Sequence, residues 1–533
     1  MKYYPMHMHL HTTHQPGASM DSHMYNAHKL GMNYIRFTDH DVRTGISQNS
    51  VMGFDFLRGQ MEYKTDEGIK VGWNKSGSGE VETTADGFKL SANGDFVAIE
   101  LYSGSKLHTA SLLSDMSLTL DFSHTIDEES SVILDITLSQ RPPDHKEGHF
   151  RYVIGKVTES QVPHTYTKEL SPSANGIYRL NISEDIGKCD EVGGLDNVFA
   201  SLSVIAAKSA TVNLRSLKIS RKYSYDEVIK RQRDLGIKVG EKYGITPFVT
   251  TEITGAGQHK NCFTSSVPVL KYDERDEISE EEAIAHVKRH GGIFSYNHPF
   301  EAEQYKRRQF TREDLDRIVC ERSEELINSK VYGATVTEVG FPEGREPFAF
   351  ADYLKLWDNL SLAGVFITGD GDSDCHKSHE LWFDGNNFAT YIAAPDDIPY
   401  PISEEVFNRS LINGNVYMGD PLYAPRDISF TVGSAQMGSV VMAKGQEYTA
   451  TLSFKNTVSD ATLRLIADGE CVREENVGKC QVCTALTLLP RRAVSFVRAE
   501  LYHNGRCIML TNPIYFVTDE FCGDIPKERL AEI

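Results

Sequence analysis

The chain opens with a strand–helix–strand pattern, and that order constrains its fold more than any other feature. Residues 6–12 end a first strand, Asp21 or Ser22 can cap a helix running to about Leu30 with Gly31 past its end, and NYIRFT (33–38) is a second strand. Two strands joined through a helix pair in parallel, so this opening predicts a parallel sheet or barrel. From about residue 50 the texture changes. MSLTLDF (116–122), VILDITL (132–138), YRLNI (178–182) and VNLRSLKI (212–219) alternate apolar and polar residues, the pattern of an antiparallel β-sandwich or jelly roll. Helical texture returns near 222, with capping-box spacings at Ser224/Glu227 and Ser279/Glu282. Strand-like runs follow at 247–254, 292–298, 334–341 and 362–370. The reading is one α/β unit in two pieces, 1–49 and 222–423, interrupted by a β-sandwich over 50–221. A second β-sandwich over 424–533 closes the chain, with a hairpin turn at Asn504-Gly505.

A net charge of −20 over 533 residues, with no basic stripe, argues against nucleic acid and anionic lipid as partners. No run approaches the roughly 20 apolar residues of a membrane helix, and the N-terminus lacks the basic and apolar regions of a signal peptide. Nine scattered cysteines fit a reducing compartment, so the expectation is a cytoplasmic protein. Cys480-x-x-Cys483 lacks a second pair and is read as structural. Histidine is the informative residue: seven of the 19 fall within the first 40 positions.

His9 and His11 are two apart on a predicted strand end, so their side chains share a side and can chelate one ion. TDHD (38–41) ends the next strand with His40, Glu252 ends PFVTTE, and His259 follows in GAGQHKN. His298 ends GGIFSYNH, and Asp374 and His376 follow ITGDGDS. In a barrel of parallel strands these C-terminal ends converge on one mouth. Glu338, in TVTEVGF, is read as a hydrogen-bonding neighbour rather than a ligand. His7, His23 and His28 are read as surface groups, Trp382 as packing, and His145 and His149 as loop residues.

HMHLHT followed by TDHD resembles the opening of the PHP (polymerase and histidinol phosphatase) superfamily, and NHP (297–299) and SDCH (373–376) resemble its later motifs. Within it, EITGAGQHKN (252–261), LWDNLSLAGVFITGDGDSDCH, NGNVYMGDPL (413–422) and TNPIYF (511–516) resemble the CehA/McbA-type metallohydrolases. The resemblance covers about 1–45 and 222–516. It implies a distorted (β/α)7 TIM-like barrel holding two or three divalent ions (Zn, Mn or Fe). His9, His11, Glu252 and Asp374 would hold one ion; Glu252, His259 and His298 the second; His40 and His376 would contribute to a third. The run after His11 is one residue short, and Gln15 falls near the place of an expected acidic residue or histidine, with His14 beside it.

The expected activity is metal-dependent hydrolysis, a phosphoesterase first and an ester, amide or carbamate hydrolase as the alternative. Asp374, His376 and Glu252 are the catalytic candidates, since a bound cation brings water's pKa towards neutrality and polarises P=O or C=O. Arg43, Lys260, Lys377 and His379 are candidates for binding a small substrate, phosphorylated or carbohydrate-like. The alternative of another class is a non-catalytic glycan-binding or scaffold protein built on the two sandwiches.

Overall fold

The computed structural model describes residues 1–12, 19–41, 49–60, 62–64, 70–103, 110–158, 160–222, 224–270, 278–300, 309–376, 382 and 387–533. Strand Lys2–His7 pairs in parallel with Tyr34–His40, which pairs in parallel with Thr246–Ile253. The helix Met20–Lys29 connects the first two, as the opening pattern predicts. Its cap is Ser19, whose hydroxyl accepts from the Ser22 amide, so the helix starts earlier than a cap at Asp21 or Ser22 would place it. Gly31 takes a positive φ of 67° just past the end, a conformation that suits glycine.

The (β/α)7 barrel is not what forms. The chain is 43% strand and 21% helix, and no closed ring of parallel strands is evident among the described residues. The reason lies in the pairing of the first strand. Its second edge is taken by Ala389–Ala394 in antiparallel register, and the sheet continues antiparallel through Val416–Gly419, Arg506–Thr511 and Val494–His503. The result is a 13-stranded mixed sheet whose far half comes from the C-terminal region. Strands Ser295–Tyr296, Val336–Gly340 and Thr368–Gly371 form a separate three-stranded parallel sheet. Single bridges, Leu10 to Cys375 and Cys262 to Phe294, connect it to the larger one. A four-stranded sheet containing Ile428–Val432, Tyr448–Lys455 and Gln481–Leu488 packs on the C-terminal half through Phe430, Leu452, Leu463 and Phe516.

Between residues 49 and 222 the period-two runs build two facing antiparallel-rich sheets, of six and seven strands. Val132, Leu134 and Ile136 from one sheet and Leu118, Leu120, Val212 and Leu214 from the other meet in a common core. His149, expected in a loop, lies in the strand Lys146–Gly155, where its Nδ1 is 3.0 Å from Asp135. This sandwich is tied to the first helix by buried polar contacts. Asp196 accepts from the Met20 and Asp21 amides, both at 2.8 Å, and Arg141 donates to Asp21 at 2.9 Å. Burial raises the Asp196 pKa to about 6, against the pull of Arg141.

The capping box at Ser279/Glu282 is formed, whereas the Ser224 side chain makes no cap hydrogen bond to the helix Tyr225–Tyr243. Asn504 and Gly505 both have positive φ and close the hairpin between Val494–His503 and Arg506–Thr511. Among the described residues, no helix is long and apolar enough to cross a membrane.

Candidate metal centre

The two parallel ladders direct their C-terminal ends to the same place, and the histidines and carboxylates there form one cluster. His9 and His11 follow the first strand, His40 ends the second, and Glu252 is the penultimate residue of Thr246–Ile253. His259 and His298 follow in loops, and Asp374 and His376 come after Thr368–Gly371. His298 (φ 22°) and Asp374 (φ 49°) hold positive-φ backbones, an arrangement uncommon for residues with side chains and concentrated at functional sites.

His9 Nε2 lies 3.1 Å from His11 Nε2, 3.2 Å from Glu252 Oε1 and 3.2 Å from Asp374 Oδ1. His11 Nε2 is 3.0 Å from the same Asp374 oxygen. Ligand atoms about 2 Å from one tetrahedral ion stand roughly 3.3 Å apart, close to these separations. Glu252 is central to the rest. Its Oε2 is 2.8 Å from His40 Nδ1, and its Oε1 is 3.2 Å from His259 Nδ1, 3.6 Å from His298 Nε2 and 2.9 Å from the Asn297 amide that donates to it. His376 Nε2 is 3.5 Å from His40 Nε2. Among the described residues four groups of potential ligands result: His9, His11 and Asp374; His40, Glu252 and His259; His11, His40 and His376; and His9, Glu338 and Asp372. The chain therefore contains buried histidine and carboxylate groups that could hold metal.

The charges are strongly coupled. Burial disfavours protonation of His9, but Asp374, Glu252 and Glu338 outweigh it and raise its pKa well above the ordinary value. Burial also opposes ionisation of Glu252, yet His9 and contacts from His259, His298 and His40 hold its pKa well below the usual range. Asp374 is likewise held low against burial by His9, Arg345 and His376. His11 is pushed well below its ordinary value, by burial first and then by the His376 ring stacked on it at 4.0 Å.

Glu338 takes the hydrogen-bonding position. Its Oε1 is 2.6 Å from His9 Nδ1, and its Oε2 accepts the His298 backbone amide. With Nδ1 on Glu338, the His9 Nε2 faces His11 Nε2, Glu252 and Asp374, and the carboxylates that favour a proton on that nitrogen would equally favour a cation in the proton's place. Imidazole nitrogens and carboxylate oxygens converging in this way are what a shared cation satisfies, so the donor set fits a metal.

The substrate-binding candidates divide. Lys260 is buried, with its ammonium 2.5 Å from Glu280 and donating to the Gln258 carbonyl. Arg43, Lys377 and His379 lie outside the described residues, as do His14 and Gln15. His7 and His23 are fully buried rather than superficial, whereas His28 is exposed. Trp382 Nε1 donates to His23 Nδ1 at 2.9 Å, and His23 Nε2 meets the His11 carbonyl at 3.0 Å, so this pair supports the backbone of a cluster residue.

Three residues of the site carry no sequence signal strong enough to have singled them out. Arg345 donates to Asp374 Oδ2 at 2.5 Å from an irregular loop. Asp370 and Asp372 are buried beside Glu338, and burial followed by the Glu338 charge raises their pKa well above the carboxylate range. Of the acidic run GDGDSD the sequence reading takes only Asp374 as a ligand, whereas Asp370 and Asp372 are buried as well.

No protein-family model matches this sequence, and no curated protein matches it. Solved structures give partial, distant similarities. A family 12 xyloglucanase from Bacillus licheniformis aligns at 7% identity and TM-score 0.23, over 32% of this chain and 100% of that one. A CARDB domain of the PF1109 protein from Pyrococcus furiosus aligns at 12% identity and TM-score 0.12, over 17% and 94%. A glycosylation-associated protein complex (Gap123) from Streptococcus agalactiae aligns at 10% identity and TM-score 0.15, over 57% and 56%. Similarity at this level carries no argument about function.

Proposed function

We propose that the chain is a metal-dependent hydrolase acting as a phosphoesterase. The observation that carries this reading is the convergence of His9 Nε2, His11 Nε2 and Asp374 Oδ1 within 3.2 Å of one another, with Glu252 bridging to His40 and His259. The motif resemblance to the PHP superfamily supports the same chemistry, through the site residues rather than through a barrel. His9, His11 and Asp374 would hold one divalent ion, and Glu252, His40 and His259 a second; His11, His40 and His376 offer a third position. Zn, Mn and Fe all suit such imidazole–carboxylate sets. When bound, such ions lower the pKa of water and polarise a phosphoryl oxygen.

The chain's own groups then have distinct tasks. Glu338 keeps the His9 proton on Nδ1, leaving Nε2 free as a ligand. Asn297 orients the Glu252 carboxylate through Oε1. With two ions bound and the third position empty, His376, 27% exposed in its side chain, can pass a proton to a departing alkoxide from Nε2. Buried walls around His9, Glu252 and Glu338 limit bulk water and strengthen each electrostatic contact.

The test is turnover of phosphomonoesters and phosphodiesters by chelator-treated protein reloaded with Zn, Mn or Fe. Phosphate release that depends on metal and is lost in Asp374→Asn supports the reading. Turnover of aryl esters or carbamates alone would replace it with carbon-centred hydrolysis. No turnover of either kind, with glycan binding insensitive to chelator, would replace it with a binding protein.

A further inference from the structure

A cleft built from imidazoles and carboxylates is a poor receptor for an anion unless it also presents a cation. Among the described residues, Arg345 is the lysine or arginine that contacts the cluster. Its Nη2 donates to Asp374 Oδ2 at 2.5 Å, while Asp374 Oδ1 faces His9 and His11 at 3.2 and 3.0 Å. One carboxylate therefore sets the guanidinium and the potential ion position on its two oxygens. The guanidinium lies over the Phe341 ring, 5.0 Å from its centroid, and the backbone of Arg345 is pinned by reciprocal hydrogen bonds with Phe348. The side chain is 24% exposed, so it is anchored without being fully enclosed. A guanidinium has five N–H donors, and the contact to Asp374 uses one.

We propose that Arg345 is the anion-recognition residue of this site, binding a non-bridging oxygen of a substrate's terminal phosphoryl group beside Asp374. This deepens, and rests on, the phosphoesterase reading. The physical argument is geometric. Arginine presents a planar fork that matches phosphate oxygens, and stacking on an aromatic ring together with one anchored nitrogen removes most of the rotamer freedom that binding would otherwise cost. Lys260, the other described cation of the sequence motifs, has its charge spent on Glu280. A neutral ester offers Arg345 no such partner, so the residue would separate phosphorylated from uncharged substrates.

The experiment uses the full chain reloaded with metal and compares wild type, Arg345→Lys and Arg345→Ala. Inorganic phosphate is the binding probe, read by calorimetry, alongside metal content by elemental analysis and steady-state kinetics on a phosphomonoester and a neutral aryl ester. The expected result is phosphate affinity and kcat/KM for the phosphomonoester lowered about 10- to 100-fold in Arg345→Ala, mostly through KM, with partial recovery in Arg345→Lys. Metal content measured at saturating metal should stay within twofold, and the ratio of phosphomonoester to aryl-ester kcat/KM should fall in Arg345→Ala. Unchanged phosphate affinity at full metal content overturns the proposal. Loss of metal in both variants also overturns it, because Arg345 would then only position Asp374. Arg345→Lys retains the charge against Asp374 and guards against simple misfolding. If no phosphate ester is hydrolysed, the phosphoesterase reading fails, while the phosphate titration still decides whether Arg345 binds an oxyanion.

Discussion

Replacing Glu338 with glutamine tests whether the cluster is organised for metal from behind its ligands. The substitution keeps the shape of the side chain and changes what its two ends offer. Glu338 now accepts twice, from the His9 ring at Nδ1 and from the His298 amide. Glutamine accepts at one end and donates at the other, so one contact becomes donor against donor, or the His9 proton shifts to Nε2 and removes that nitrogen from the ligand set. A hydrogen bond to a charged group contributes about 1.5–3 kcal/mol, and losing one corresponds to roughly a 10- to 100-fold loss in affinity. Competition titration of Zn or Mn against a chromophoric chelator reads the affinity, and urea unfolding of the chelated protein checks that the fold survives. Affinity within twofold of wild type in a folded Glu338→Gln protein would refute the reasoning.

Two further outcomes follow from the buried histidines. Burial lowers the His7 pKa to about 4 and the His23 pKa to about 3, from 6.5, so the folded state binds fewer protons than the unfolded one. Their stability contribution is present above pH 6.5 and is lost as pH falls towards 3–4. Between pH 7 and 5 each group should remove about 2 kcal/mol in chelator, and His23→Gln should flatten the measured dependence; an unchanged slope would contradict this. Trp382→Phe leaves His23 Nδ1 without its donor and should cost about 1–3 kcal/mol in urea unfolding, whereas a loss under 0.5 kcal/mol would mean the contact contributes little.

The sequence was most legible where local rules dominate. Alternation of apolar and polar residues in VILDITL and VNLRSLKI is a property of one strand against one core, and those residues face the sandwich interior. Ser279 and Glu282 are three apart and need nothing distant to form their box. The barrel expectation failed because closure depends on which strand takes the free edge of Lys2–His7. That partner is Ala389–Ala394, whose antiparallel direction no local pattern encodes. The site histidines were readable as residues at strand ends, but their supporting contacts were not. Glu338 to His9 spans 329 residues and Arg345 sits in a loop with no motif of its own. His7 and His23 looked superficial because histidine is often exposed, and their burial depends on Asn387 and Trp382, far along the chain.

The central claim is that this cluster binds divalent metal, and metal content measures it directly. Untagged protein purified without chelator should carry about two to three ions of Zn, Mn or Fe per chain by elemental mass spectrometry. Glu252→Gln, which removes the bridging charge, should lower that number by at least one while the protein remains folded. Metal-free protein that added Zn, Mn and Fe cannot load, or a Glu252→Gln variant with undiminished content, would contradict the account.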